Sequence, residues 1–79
     1  MDLDEALRKR ILELIKQKNI SLTEFCLNSN LTPSTVFDFM HKKSKCPKVV
    51  TIKKLCAGAG ISLKEFFSPD YFNDTKDVY

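Results

Sequence analysis

Apolar residues recur along the chain at helical intervals and predict five helices and no strand. The first helix is expected over residues 3–18, where one face carries four apolar residues at i, i+4, i+7 and i+8: Leu7, Ile11, Leu14 and Ile15. Three further helices are expected over residues 22–29, 33–41 and 49–59. A short fifth helix is expected after Ser62, with three apolar residues on one side: Leu63, Phe66 and Phe67.

Polar residues at the ends of the predicted helices fit these boundaries. Ser21 and Ser62 are each followed three residues later by a glutamate, the capping-box pattern of a helix start. Thr32 precedes Pro33, and proline is favoured at the first helical position. Three residues that readily adopt the left-handed conformation follow predicted helices: Asn19, Asn30 and Gly60.

The start and end signals within residues 21–40 predict two short helices joined by a tight turn. The best-known use of such a helix-turn-helix is to place its second helix in the major groove of DNA.

The predicted fold class is all-α, with five amphipathic helices around one core. Residues 1–67 form the expected domain. Residues 68–79 form a C-terminal tail that is either flexible or docked through Tyr71 and Phe72. Ile20 and Val49 are expected at the edges of the core. The core itself is expected to comprise the apolar residues at inward positions, namely Leu7, Ile11, Leu14, Phe25, Cys26, Leu31, Val36, Phe39, Ile52, Leu55, Cys56, Ile61 and Phe66.

Charge is distributed unevenly along the chain. The net charge is +3, but residues 68–79 carry three aspartates and one lysine, which leaves the first 67 residues with 12 basic and 7 acidic side chains. Residues 41–54 contain six lysines and no acidic residue. Such a stretch is often only a solvated surface. This one directly follows the predicted second helix of the helix-turn-helix, so we expect its cations to bind DNA phosphates in a salt-dependent way.

The three cysteines cannot all form disulfides with one another, and none lies in a CxxC motif, which fits a reducing cytoplasm. Cys46 lies between Lys45 and Lys48, which leaves two interpretations: a redox-sensitive thiol with a lowered pKa, or an inert exposed thiol. His41 and Cys46 are too few ligands for a metal site.

Several function classes are not supported by the sequence. No apolar run is long enough to span a bilayer, and the acidic first residues are unlike a signal peptide. We therefore expect a cytoplasmic, nucleoid-associated protein with no membrane partner. No catalytic set, phosphate-binding loop or cofactor motif is present. We expect neither enzymatic activity nor a cofactor or small-molecule ligand.

Four ordered pieces of sequence between Arg10 and Phe67 carry a family resemblance. They are Ser21-x-x-Glu24-Phe25-Cys26, then Leu31-Thr32-Pro33-Ser34-Thr35-Val36, then Pro47 with Thr51-Ile52-Lys53-Lys54-Leu55-Cys56, and finally Gly60-Ile61-Ser62-Leu63-x-Glu65-Phe66-Phe67. The ordered set resembles the Xre family of phage-repressor-like helix-turn-helix DNA-binding domains. It implies a five-helix lambda-repressor-like bundle of bacterial or phage origin. The implied function is transcriptional regulation, for which we expect repression by a homodimer on palindromic double-stranded DNA.

In this family the start and outer face of the third helix contact the bases. The resemblance therefore implies base-reading roles for Thr32, Pro33, Ser34, Phe37 and Asp38. Asp38 has two interpretations: it accepts a hydrogen bond from a cytosine amino group, or it is a solvated residue near Lys42. Phe37 is expected to turn away from the core, which leaves three interpretations: contact with a thymine methyl group, contact with a protein partner, or burial beneath the following loop.

The resemblance also implies phosphate contacts, by Thr23, Thr35, His41, Lys42, Lys43, Lys45 and Lys48. Four positions depart from the family pattern. Leu22 stands where relatives often hold glutamine, and Asn30 and Lys42 stand where relatives commonly have glycine. Cys26 stands where relatives nearly always have alanine. The best apolar candidate for a dimer surface is formed by Phe66, Phe67, Tyr71 and Phe72.

A second function remains open, a protein-interaction module of the same fold that has lost DNA binding. Leu22, Pro33, Phe37 and Asp38 favour it, because the third helix contains neither arginine nor glutamine. The lysine-rich stretch favours DNA binding. The dependence of binding on salt separates the two functions.

Overall fold

All five predicted helices are present in the structure, a computed structural model that describes residues 1–43 and 46–76. Their bounds are Leu3–Lys18 (α1), Leu22–Asn28 (α2), Pro33–Met40 (α3), Val49–Ala59 (α4) and Leu63–Phe66 (α5). A 3-10 helix follows at Asp70–Asp74. These described residues include no strand, and none of their helices is long and apolar enough to cross a membrane.

Side-chain caps define three of the helix starts. The side chains of Asp2, Ser21 and Ser62 each accept a hydrogen bond from the backbone amide three residues later, at 2.8, 3.0 and 3.0 Å. The two serine caps confirm the sequence prediction, and the Asp2 cap adds a third. Thr32 and Pro33 occupy the predicted positions at the start of α3, but the Thr32 hydroxyl makes no capping hydrogen bond.

Four helices end in the same way, with a left-handed residue that reverses the chain. These residues are Asn19 (φ 54°), Asn30 (φ 56°), Lys42 (φ 63°) and Gly60 (φ 71°). The next residue then donates its amide to a carbonyl five residues back, which is the closure of a Schellman motif. The four bonds are Ile20 to Ile15 at 3.1 Å, Leu31 to Cys26 at 2.9 Å, Lys43 to Asp38 at 2.7 Å and Ile61 to Cys56 at 3.0 Å. The predicted ends at residues 19, 30 and 60 are confirmed.

The hydrophobic core follows the predicted faces closely. Of the thirteen residues expected inside, eleven are buried. The prediction is wrong for Leu31 and Ile61, which are half-buried against the core edge. Both directly follow a left-handed residue, at the point where the chain leaves a helix. Ile20 packs at the core edge as expected. Val49 does not, since its side chain at the first residue of α4 is 72% exposed.

The C-terminal segment is docked on α1 through residues 70–74. Tyr71 donates its hydroxyl to the carboxylate of Glu13 at 2.6 Å, and the Lys9 ammonium lies 4.6 Å from the centre of the Tyr71 ring.

Arg10 of α1 is buried and links this helix to α5. It donates to the backbone carbonyls of Phe66 at 2.7 Å and Glu65 at 2.9 Å, so that α1 satisfies the end of α5.

Candidate nucleic-acid interface

The outer face of α3 carries polar side chains in contact with solvent. Thr32, Ser34 and Asp38 are exposed, whereas Val36 and Phe39 on the opposite face are 3% and 2% exposed. Ser34 and Asp38 lie four residues apart and therefore share one side of the helix. Pro33 is half-buried at the helix start. The structure thus leaves hydroxyl and carboxylate groups free to meet an external surface.

The Phe37 side chain was predicted to face outward, and it does so only in part. Its side chain is half-buried, and its ring packs edge-on against the imidazole of His41 one turn later, with 6.4 Å between the ring centres. An edge-to-face pair of this kind holds both rings in place. The Phe37 ring therefore forms part of the protein surface next to the His41 imidazole.

Basic side chains lie beyond the C-terminal end of α3. Lys42, Lys43 and Lys48 are exposed and form what we call the lysine surface. His41, Thr23 and Thr35 are exposed as well. Lys45, which we expected to contact phosphate, lies outside the described residues.

The end of α3 differs from the other helix ends in a way that concentrates charge. At the other three left-handed positions the residue is asparagine or glycine, and the next residue is an apolar side chain packed at the core edge. At the end of α3, both positions are lysines and both are exposed: Lys42 and Lys43. A left-handed lysine costs roughly 1–2 kcal/mol relative to an ordinary conformation, and the second lysine gives up the usual apolar contact. Packing therefore does not explain this pair of residues.

Arg8 on α1 fixes the end of α3 from the neighbouring helix. Its Nε atom donates to the backbone carbonyl of Phe39 at 2.8 Å, and its guanidinium carbon lies 4.7 Å from the centre of the Phe39 ring. The amide of Lys42 donates to the same carbonyl at 3.1 Å. Arg8 was not among the residues predicted from sequence, because its partner lies 31 residues away and no local pattern links the two.

Leu22 at the start of α2 contributes to packing. Its side chain is half-buried against the hydrophobic core. It therefore leaves the exposed hydroxyl of Thr23 and the backbone amides as the polar groups at this helix start.

The predicted apolar dimer patch is largely an internal aromatic cluster. Phe66 is fully buried, and its ring lies 4.9 Å from that of Phe67 and 6.2 Å from that of Phe72. Tyr71 and Phe72 are half-buried, and Phe67 alone of the four is exposed, at 39%. The assignment of Phe66 to a dimer surface is wrong, because its side chain is fully buried in the hydrophobic core.

The environment of Cys46 raises the pKa of its thiol. Desolvation of the sulfur atom is the main cause, although the residue as a whole is exposed, followed by the negative charge of Asp4 and a hydrogen bond to that carboxylate. The interpretation of Cys46 as a thiol with a lowered pKa is therefore wrong. In the part of the chain that the structure describes, no three His, Cys, Asp or Glu side chains lie together as a metal site.

Comparisons with protein families, with curated proteins and with solved structures give no match.

Proposed function

We propose that this protein is a sequence-specific DNA-binding regulator of transcription, and that it acts as a repressor. In this proposal α2 and α3 form a helix-turn-helix, and α3 enters the major groove of double-stranded DNA. Ser34 and Asp38 face base edges, and the lysine surface binds the adjoining phosphates. The observation that carries the proposal is the exposed Lys42-Lys43 pair, placed where the other helix ends hold a left-handed Asn or Gly and a packed apolar residue.

The Lys42-Lys43 pair makes folding less favourable but makes the binding of an anion more favourable. Backbone strain and exposed charge persist at functional sites because the surrounding structure compensates for them. Here the compensation includes the Arg8 bond to the Phe39 carbonyl and the 2.7 Å bond from the Lys43 amide to Asp38. When α3 lies in the major groove, the ammonium groups of Lys42 and Lys43 would contact DNA phosphates.

Two backbone conformations support the resemblance to the Xre family. Asn30 and Lys42 stand where that family commonly has glycine, and both have positive φ angles, at 56° and 63°. Glycine is the residue that adopts this conformation most readily. The chain therefore keeps the backbone shape that a glycine would favour while presenting other side chains. A homodimer on two half-sites one DNA turn apart, about 34–36 Å, completes the proposed mechanism.

The salt dependence of DNA binding tests this function. Fluorescence anisotropy of a labelled mixed-sequence duplex, measured over a series of KCl concentrations, should show an affinity that falls steeply with salt. Lys43→Gln should reduce the slope of log affinity against log salt by about 1. Lys64→Gln, which removes an exposed lysine from α5, is the matched control and should leave the slope unchanged. A DNA affinity that does not depend on salt concentration would count against the proposal. So would an equal change of the salt slope in Lys43→Gln and Lys64→Gln.

A protein-interaction module remains the second candidate. The observation that favours it is the exposure of large apolar side chains on α2 and α4, where Leu27 is 64% exposed and Val50 is 59% exposed. Single exposed apolar residues are common on proteins, so this observation carries less weight than the lysine pair. Such a module would bind DNA weakly and without preference for sequence.

A further inference from the structure

A groove on α1 joins the lysine surface to a second row of cations. It has a volume of about 470 Å³, and the Lys42 side chain lines it together with residues of α1. The basic residues of α1 that line it are Arg8, Lys9 and Lys16. Apart from Arg8, no residue of this helix belongs to the candidate interface described above. The groove therefore extends the basic surface from the end of α3 onto its neighbour.

The position of Lys42 over α1 is fixed by the backbone. The Phe39 carbonyl accepts hydrogen bonds from both the Arg8 side chain, at 2.8 Å, and the Lys42 amide, at 3.1 Å. This shared acceptor holds the turn after α3 against α1. The left-handed conformation of Lys42 is part of the same turn.

The charge of the groove favours an anion. Four basic side chains line it against two acidic ones, Glu5 and Glu13. Glu13 is already engaged within the protein, since it accepts a hydrogen bond from Tyr71 at 2.6 Å and lies 3.4 Å from the Arg10 guanidinium. Two of the cations are engaged as well, Lys9 by the Tyr71 ring and Arg8 by Phe39, which leaves Lys16 and Lys42 to face an external anion. Lys16 is exposed two helical turns from Lys9, about 10 Å along the helix axis.

We propose that this α1 groove binds the DNA phosphate backbone flanking the groove that α3 enters, with Lys16 and Lys42 as its two principal contacts. The inference rests on the proposed function and extends its contact surface to α1. Arg8 is a positioning residue, because its Nε atom is bonded to the Phe39 carbonyl and its guanidinium group lies against the Phe39 ring. Phosphate contacts of this kind set the orientation of a protein on the duplex without reading sequence.

Helix α1 offers a matched pair of lysines for the test. Lys16 and Lys18 are both exposed and both lie in the last turn of α1, so that each loses the same favourable interaction with the helix dipole when neutralised. Lys16 lines the groove, whereas Lys18 is not among its lining residues. In the anisotropy assay with a mixed-sequence duplex, Lys16→Gln should lower the salt slope by about 1, and Lys18→Gln should leave it unchanged.

The outcomes separate this inference from the function on which it rests. If Lys43→Gln lowers the slope but Lys16→Gln does not, the α1 contact is overturned and the DNA-binding function stands. Equal losses for Lys16→Gln and Lys18→Gln would also overturn it, because they would reflect net charge alone. A wild-type protein that does not bind the duplex would refute the function itself. In urea unfolding, Lys16→Gln and Lys18→Gln should show the same small loss of stability, because each removes one exposed positive charge from the last turn of α1.

Discussion

Gly58 of α4 lies directly against Ser29, the residue that follows α2. A Cβ atom built on Gly58 would lie 2.0 Å from the Ser29 hydroxyl oxygen and 2.9 Å from the Ser29 Cα atom. The buried Ser29 hydroxyl is itself held by the Phe25 carbonyl, to which it donates at 2.7 Å. The absence of a side chain at residue 58 therefore sets how closely the two helices pack.

Replacement of Gly58 by alanine should destabilise the fold. Overpacking of this kind costs about 1–3 kcal/mol, whereas alanine in place of glycine improves helix propensity by about 1 kcal/mol. The overpacking cost is the larger of the two if the backbone cannot shift. We expect a net loss, because the Ser29 main chain is part of the clash. Urea unfolding measures it. The loss should shrink in a Ser29→Ala background, whereas the effect of Gly60→Ala, at an open position, should be independent of Ser29. A Gly58→Ala protein as stable as the wild type would contradict this packing.

Lys42→Gly should raise stability and weaken DNA binding. Glycine removes the strain of the left-handed conformation, for an expected gain of about 1 kcal/mol in the free energy of unfolding. The same change removes an ammonium group from the lysine surface, and the salt slope should fall by about 1. Asn30→Gly is the control, because asparagine tolerates this conformation and carries no charge. Unchanged DNA affinity in the Lys42→Gly protein would exclude a phosphate contact at this residue.

The hydrogen bond from Tyr71 to Glu13 predicts a dependence of stability on alkaline pH. Burial raises the pKa of Tyr71 above its usual value near 10, and the hydrogen bond and charge of Glu13 raise it further. A raised pKa means that the folded state favours the neutral phenol, so this stabilisation is complete below about pH 10 and is lost as pH rises further. Tyr71→Phe should therefore cost about 1 kcal/mol near pH 7. The difference between the two proteins should narrow at about pH 11. A difference that is the same at both pH values would argue against this bond.

Asp38→Asn should increase affinity for duplex DNA of any sequence. The exposed carboxylate lies on the face of α3 that we place in the major groove, where the potential is strongly negative. Removal of one exposed charge is worth up to about 1 kcal/mol, or roughly fivefold in affinity. Asp70→Asn on the 3-10 helix removes an equal charge and should have little effect. If Asp38 instead accepts a hydrogen bond from cytosine, the variant will lose its preference at one base pair.

The helices themselves could be predicted from local sequence. The bounds of α1 and α4 agree with the periodic apolar residues, and the left-handed ends at Asn19, Asn30 and Gly60 follow from residue type. These features depend on neighbours within one or two turns, so a single sequence contains the information.

Contacts between distant segments could not be predicted in the same way. Arg10 was not among the residues predicted to lie in the core, yet it is buried and donates to backbone carbonyls 55 and 56 residues away. Val49 fits the inward periodicity of α4 and is nevertheless exposed, since burial requires a neighbouring element over the first turn. For the candidate interface, the sequence located the lysines, but only the backbone conformation revealed that Lys42 occupies a strained position.

A selection from randomised double-stranded DNA tests the proposed function most directly. Each round is performed at two salt concentrations, and the enriched sequences are aligned. We expect a palindrome whose half-sites lie one helical turn apart, with Ser34→Ala relaxing the preference at one position in each half-site. Absence of any enriched sequence, with weak binding that disappears at moderate salt, would contradict sequence-specific recognition by α3.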